Sequence, residues 1–207
     1  MKIATQFEVL SWDFTYQLLI ELANKIKRSN YRPDLIVGIS RGGWPPARVI
    51  SDFLENPNIA NIKVEFYSDI TKTLKKPVIT QNISMPVREK SVLLVDDVAD
   101  TGTTLKLVYD KLITNKAKDV KVATLYYKPK SVFKPDFYMM ETNAWVIFPW
   151  ERYESVKSLG SKMIERGLKL EEVEFELIKL GLEPLVVKRF LRDIFGEKHA
   201  SKKKSRR

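Results

Sequence analysis

Hydrophobic positions along the chain follow two periods. From Trp12 to Lys27, Phe14, Leu18, Leu22 and Ile26 recur at about every fourth residue, the spacing of one helix face, with Ser11 in front as an N-cap. DLIVGIS (Asp34–Ser40) is a short β-branched run that ends in Arg41-Gly42-Gly43. Pro45 and Pro46 open an expected helix through Leu54, because Pro is accepted in the first turn. KVEFYS (Lys63–Ser68) reads as a strand. Residues 69–88 are polar, with Lys72, Lys75, Lys76 and two prolines, and read as one long loop of the kind that is functional or mobile. SVLLVDDV (Ser91–Val98) is a strand, followed by a helix near Leu105–Ile113. Val120–Lys128 and Ala144–Trp150 make two more strands. Beyond Ser155 the pattern is helical only, with helices over Leu170–Leu180 and Pro184–Phe195 around Gly181-Leu182-Glu183.

Strands alternating with helices predict an α/β fold, a mostly parallel twisted sheet flanked by helices. A chain of 207 residues is long enough to bury a full core. No apolar stretch approaches 18 residues, so no membrane span is expected, and the first residues lack the charged-then-apolar layout of a secretory signal. The absence of Cys excludes disulfides, zinc–thiolate sites and cysteine catalysis, and suits a reducing cytosol. The net charge is +10, but the last ten residues hold six Lys and Arg and no acid. The remaining 30 cations against 26 anions leave +4, so most of the excess sits in a short polar tail.

The chemistry is concentrated at strand ends. In VLLVDDVADTGTT (Val92–Thr104) a buried strand delivers two adjacent carboxylates, Asp96 and Asp97, to its carboxyl end. Asp100-Thr101-Gly102-Thr103-Thr104 then forms a turn of small residues at a helix start. Such a turn aims backbone N–H groups and the positive helix end at an anion, and Gly102 permits close approach. One segment thus pairs a phosphate cradle with acids suited to hydroxyls or to a hard cation such as Mg2+. It is not a P-loop, since no Gly-Lys-Ser/Thr ends it.

This segment resembles the motif by which type I phosphoribosyltransferases bind 5-phosphoribosyl 1-pyrophosphate (PRPP). GISRGG (Gly38–Gly43) resembles the family's pyrophosphate loop, residues 69–88 stand where it has a flexible hood, and YYKP (Tyr126–Pro129) and AWVIFPWE (Ala144–Glu151) resemble the purine-binding elements of 6-oxopurine members. The resemblance covers about residues 34–151 and implies a catalytic domain over residues 1–155; beyond it the residue pattern alone reads as a helical extension over 156–197 and a basic disordered tail over 198–207. It implies transfer from PRPP to a 6-oxopurine base with Mg2+ as cofactor, in a cytoplasmic homo-oligomer, dimer or tetramer.

Roles follow from the same resemblance. Asp96 and Asp97 would hold the ribose hydroxyls, with Asp97 on the metal. Asp100 would exchange a proton with purine N7. Thr101, Gly102, Thr103 and Thr104 would grip the 5′-phosphate, and Arg41 and Gly42 would meet pyrophosphate. Lys128 would donate to the purine O6, Trp145 would stack on the base, and Val146 would touch its edge through the backbone. Glu151 stands where related enzymes carry Asp. The only His, His199, lies in the tail, which argues against histidine catalysis.

Two other readings stay open. One is a phosphoribosyltransferase for a pyrimidine or adenine, against which Lys128 and Trp145 argue. The other is a PRPP-sensing regulator that binds nucleic acid through the last two helices and the tail. Leu185, Val186, Phe190, Leu191, Ile194 and Phe195 on the final helix suit packing better than base reading, which argues against a nucleic-acid partner.

Overall fold

The computed structural model describes residues 6–67 and 76–204, with side chains over 6–66 and 76–196. The elements run β1 (Phe7–Val9), α1 (Trp12–Arg28), β2 (Leu35–Ser40), α2 (Trp44–Phe53), β3 (Ile59–Tyr67), β4 (Lys76–Gln81), β5 (Ser91–Ala99) and α3 (Thr103–Thr114). They continue with β6 (Asp119–Tyr127), β7 (Phe137–Glu141), β8 (Trp145–Ile147), a 3-10 turn (Pro149–Glu151), α4 (Arg152–Glu165), α5 (Leu170–Lys179) and α6 (Pro184–Lys204). Two compact units result, Tyr16–Asn143 and Met1–Thr15 with Ala144–Arg207.

The larger unit holds a six-stranded sheet in the order β4-β3-β2-β5-β6-β7, parallel except for β3 against β4. Central β2 and β5 are buried on both faces, which is why they read as continuous apolar runs rather than as alternation. Leu35, Val37, Val92, Leu94 and Val122 of the sheet pack with Leu105, Val108 and Leu112 of α3. The chain adds β3 on one side of β2 and β5, β6 and β7 on the other. The topological switch therefore falls between β2 and β5, where ligands bind at the carboxyl ends of the strands in sheets of this kind.

The stretch 69–88 corrects the expectation of one long loop. Over Lys76–Gln81 it is β4, antiparallel to β3. Its polarity misled because β4 is an edge strand with one solvated face, and Pro77 is tolerated there since an edge need not donate. Ile83 and Met85 pack against the core and Val87 is buried, while residues 68–75 lie outside the described residues. The strands β1 and β7 were not expected. β8 is shorter than the apolar run Ala144–Trp150, because Pro149 starts the 3-10 turn. Ser11 does cap α1, its Oγ accepting the Phe14 N–H at 3.1 Å. Phe14, however, is 40% exposed, and the buried stripe of α1 begins at Thr15 and Leu18.

In the smaller unit β1 and β8 form a parallel pair with Phe7 opposite Trp145. Ile147 joins Val156, Met163, Val173, Leu177 and Leu191 in a core built by α4, α5 and α6. Gly160 lets α4 and α6 close up, since a Cβ there would stand 3.1 Å from the Phe195 ring. Glu172 accepts the Lys169 N–H at 2.7 Å and caps α5. Leu185, expected to pack, is 77% exposed. The helical backbone of α6 continues through Lys204, into the segment expected to be a disordered tail. Among the described residues no helix is long and apolar enough to cross a membrane.

Candidate active site

The carboxyl ends of β2 and β5 bring two sequence-distant segments together. The Arg41–Gly43 loop leaves β2, its Ser40–Arg41 peptide cis, and lies against the acids of β5. A Cβ on Gly42 would land on the Asp97 carboxylate, 2.7 Å from its Cγ. A Cβ on Gly43 would come within 2.8 Å of Asp96 Cα and 2.9 Å of Asp96 Oδ1. Only glycine lets this backbone run over the two acids, so the Gly-Gly pair is explained by the packing of the loop. Asp96 Oδ1 accepts the Asp97 N–H at 3.1 Å, and Asp97 Oδ1 accepts the Val98 N–H at 2.8 Å. Asp97 is 6% exposed and Asp96 half-buried. Arg41 is exposed. The Glu65 carboxyl of β3 is held below the usual range, first by hydrogen bonds from Lys63 and Thr80 and in smaller part by the charges of Lys63 and Arg41.

Gly102 is the N-cap of α3 at φ +77°, a left-handed conformation that an L side chain adopts at a cost. Space forbids one as well, since a Cβ would lie 2.6 Å from Phe133 N. The Thr101 and Thr103 hydroxyls are 2.9 Å apart, and both residues are exposed. The first full turn of α3 is closed by the Lys106 N–H on Gly102 O, which leaves the preceding N–H groups facing outward from the helix start. Val132 N–H donates to Thr101 O at 2.9 Å and braces the turn from the β6–β7 connection. The result is a preformed anion cradle.

At the end of β6, Lys128 is 5% exposed and its backbone N–H donates to Ala99 O at 3.0 Å. Its Nζ stands 3.2 Å from Asp100 Oδ1, and Lys130 Nζ stands 3.3 Å from the same oxygen. Neither approach has hydrogen-bond geometry, so this buried carboxyl oxygen pairs by charge alone. Lys130 was not singled out in the sequence. The signal was a second cation two residues past Lys128, across Pro129, in the turn that bends back on Asp100.

The carboxyl ends of β2, β5 and β6 therefore gather Arg41, Gly42, Asp96, Asp97, Asp100, Thr101, Gly102, Thr103, Thr104 and Lys128. Trp145 and Val146 belong to the smaller unit, where Trp145 is 53% exposed and Val146 is 7% exposed. Among the described residues no group of three or more His, Cys, Asp or Glu could hold a metal ion by itself.

The profile of the family described as "Phosphoribosyl transferase domain" matches residues 6–154. The crystal structure of purine phosphoribosyltransferase from Pyrococcus horikoshii is 38% identical, with a TM-score of 0.64 over 70% of this chain and 93% of that one. The xanthine-guanine phosphoribosyltransferase of Idiomarina loihiensis is 29% identical over 147 residues, 70% of this chain and 86% of its own. The hypoxanthine-guanine phosphoribosyltransferase of Saccharomyces cerevisiae is 26% identical over 151 residues, 65% of this chain and 67% of its own. With a profile spanning most of the chain and a matching sheet, the protein belongs to the phosphoribosyl transferase domain family and is an enzyme of the type I phosphoribosyltransferase fold.

Proposed function

We propose that this enzyme transfers the 5-phosphoribosyl group of PRPP to N9 of a 6-oxopurine, guanine, hypoxanthine or xanthine, giving the nucleoside 5′-monophosphate and pyrophosphate. The observation that supports this most is the seating of the Gly42–Gly43 backbone on the Asp96 and Asp97 carboxylates, one turn of chain from the Thr101–Thr104 cradle. A pyrophosphate loop, a pair of hydroxyl-binding acids and a 5′-phosphate cradle are the three contacts that one PRPP needs.

Substitution at C1′ builds positive charge on the ribose and negative charge on the departing pyrophosphate, so the protein supplies position and charge rather than a covalent partner. Arg41 offers several donors to the leaving group. The cradle holds the 5′-phosphate through backbone N–H groups and the Thr101, Thr103 and Thr104 hydroxyls. Asp100 takes or gives the proton at N7 as N9 attacks. Lys128 carries only donors, so it favours the O6 carbonyl and leaves the amino group of adenine unpaired. Trp145 supplies the stacking face and the Val146 backbone the base edge. Mg2+ is held in phosphate sites by one or two carboxylates with substrate oxygens, a donor set that Asp96 and Asp97 fit, and when bound it would offset the charge of pyrophosphate.

In this reading residues 1–155 carry the catalysis and 156–197 serve packing or assembly, in a cytoplasmic homo-oligomer. The test is product analysis. PRPP and a 6-oxopurine should yield nucleotide and pyrophosphate in equal amounts, with no product when either substrate is left out. Pyrophosphate release without nucleotide would contradict the reading.

A further inference from the structure

A cavity of about 460 Å³ lies wholly within the unit of residues 1–15 and 144–207. That volume falls in the range of sites for small organic ligands. Phe7 and Trp145 are in-register neighbours on β1 and β8, which puts both rings on one face, and Leu159 and Met163 of α4 complete the apolar lining. The lining residues of α4 and its C-cap run from Glu154 to Arg166 at three- and four-residue spacing, one helix face about 18 Å long. A groove of that length exceeds a bicyclic base and suits a base carrying a further group.

Its charges are divided. Glu151 and Glu154 line it near the start of α4, and each already has a partner. Lys162 and Arg166 line it at the far end, one turn apart, and neither makes an ion pair among the described residues. Their place at the C-terminal end of α4 answers the helix dipole. As like charges at i and i+4 they also repel each other, and an anion between them would relieve this. The family profile ends at Glu154, so this cation pair belongs to the segment beyond it.

We propose that this groove is a second nucleotide site, taking a purine nucleoside monophosphate with its base against Phe7 and Leu159 and its phosphate between Lys162 and Arg166. The choice of a purine rests on the proposed reaction, whose product is such a nucleotide. The phosphate site differs from the Thr101–Thr104 cradle in every residue.

The test counts GMP bound per full-length chain by equilibrium dialysis, in wild type, in K162Q/R166Q, and in Ser158→Trp, which fills the groove with its cations intact. In a wild type that turns over PRPP and a 6-oxopurine, two GMP are expected, falling to one in both variants while their kcat at low product stays unchanged. A count of one in a turning-over wild type, or equal counts in wild type and variants, overturns the proposal. Absence of turnover would sink the proposed reaction alone, and a fall from one GMP to none would still support the groove. If K162Q/R166Q fails to fold, Ser158→Trp carries the test.

Discussion

Lys128 Nζ stands 3.2 Å from Asp100 Oδ1, and the lysine side chain is only 7% exposed. The donor proposed for the purine O6 and the acid proposed for N7 are thus held as a pair before any base arrives. Lys128→Met should remove one charge-assisted contact to the base, worth about 1.5–3 kcal/mol, and raise the KM for the base roughly ten- to hundred-fold. The KM for PRPP should hold. Lys130→Ala, at an ammonium 63% exposed, should change both by less than about fivefold. Steady-state kinetics with each substrate varied in turn separates the two.

Gly42→Ala puts a methyl group where the Asp97 carboxylate already is. Loop or acid must move, so the KM for PRPP should rise by roughly tenfold or more, while the base KM stays within about twofold. An unchanged PRPP KM would show that the loop does not need its seat on Asp97.

Gly102→Ala adds a left-handed alanine and a clash with Phe133 N. The conformation alone costs about 1–2 kcal/mol. Urea unfolding should show a loss of at least that size, together with weaker binding of the 5′-phosphate.

Asp97→Asn keeps the shape of a side chain that is 6% exposed but removes its charge. The Mg2+ concentration that gives half-maximal rate should rise by roughly tenfold, as one of two carboxylates is lost from the donor set. A rate titration against Mg2+ at fixed PRPP measures it.

Tyr31 makes a pH-dependent contribution of its own. Its hydroxyl donates to Val92 O at 2.8 Å, and burial, helped by the negative charges of Asp119, Asp136 and Asp34, pushes its phenol well above the ordinary tyrosine range. A raised folded value means the contribution is complete below about pH 10, the unfolded value, and is lost as pH climbs past it, because the unfolded chain ionises first. Tyr31→Phe should cost about 0.5–1.5 kcal/mol at pH 8. The gap between variant and wild type should close between pH 10 and the folded pKa, as read from thermal unfolding at a series of pH values.

How far these features could be read from residue order differs by element. The runs LIVGIS and SVLLVDDVA were legible because strands buried on both faces leave an unbroken apolar signal. The PRPP segment was legible because strand, acids and turn are contiguous. β4 was hidden by the solvated face of an edge strand, and β1 by a length of three residues. That Gly42 rests on Asp97 could not be read, because the contact joins two strand ends 55 residues apart through backbone that carries no side-chain signal. The Lys130 contact with Asp100 depends on a turn after Pro129, and the charges alone did not specify its direction.

Transfer from PRPP to a 6-oxopurine, with Asp100 as the proton-transfer group, is open to one direct comparison. The measurement is kcat/KM with PRPP for guanine, hypoxanthine, xanthine, adenine and orotate, in wild type and in Asp100→Asn. At least one 6-oxopurine should exceed adenine and orotate by roughly a hundredfold or more, and Asp100→Asn should lower kcat by about 10²–10⁴. A preference for adenine or orotate, or an Asp100→Asn enzyme as fast as wild type, would contradict it.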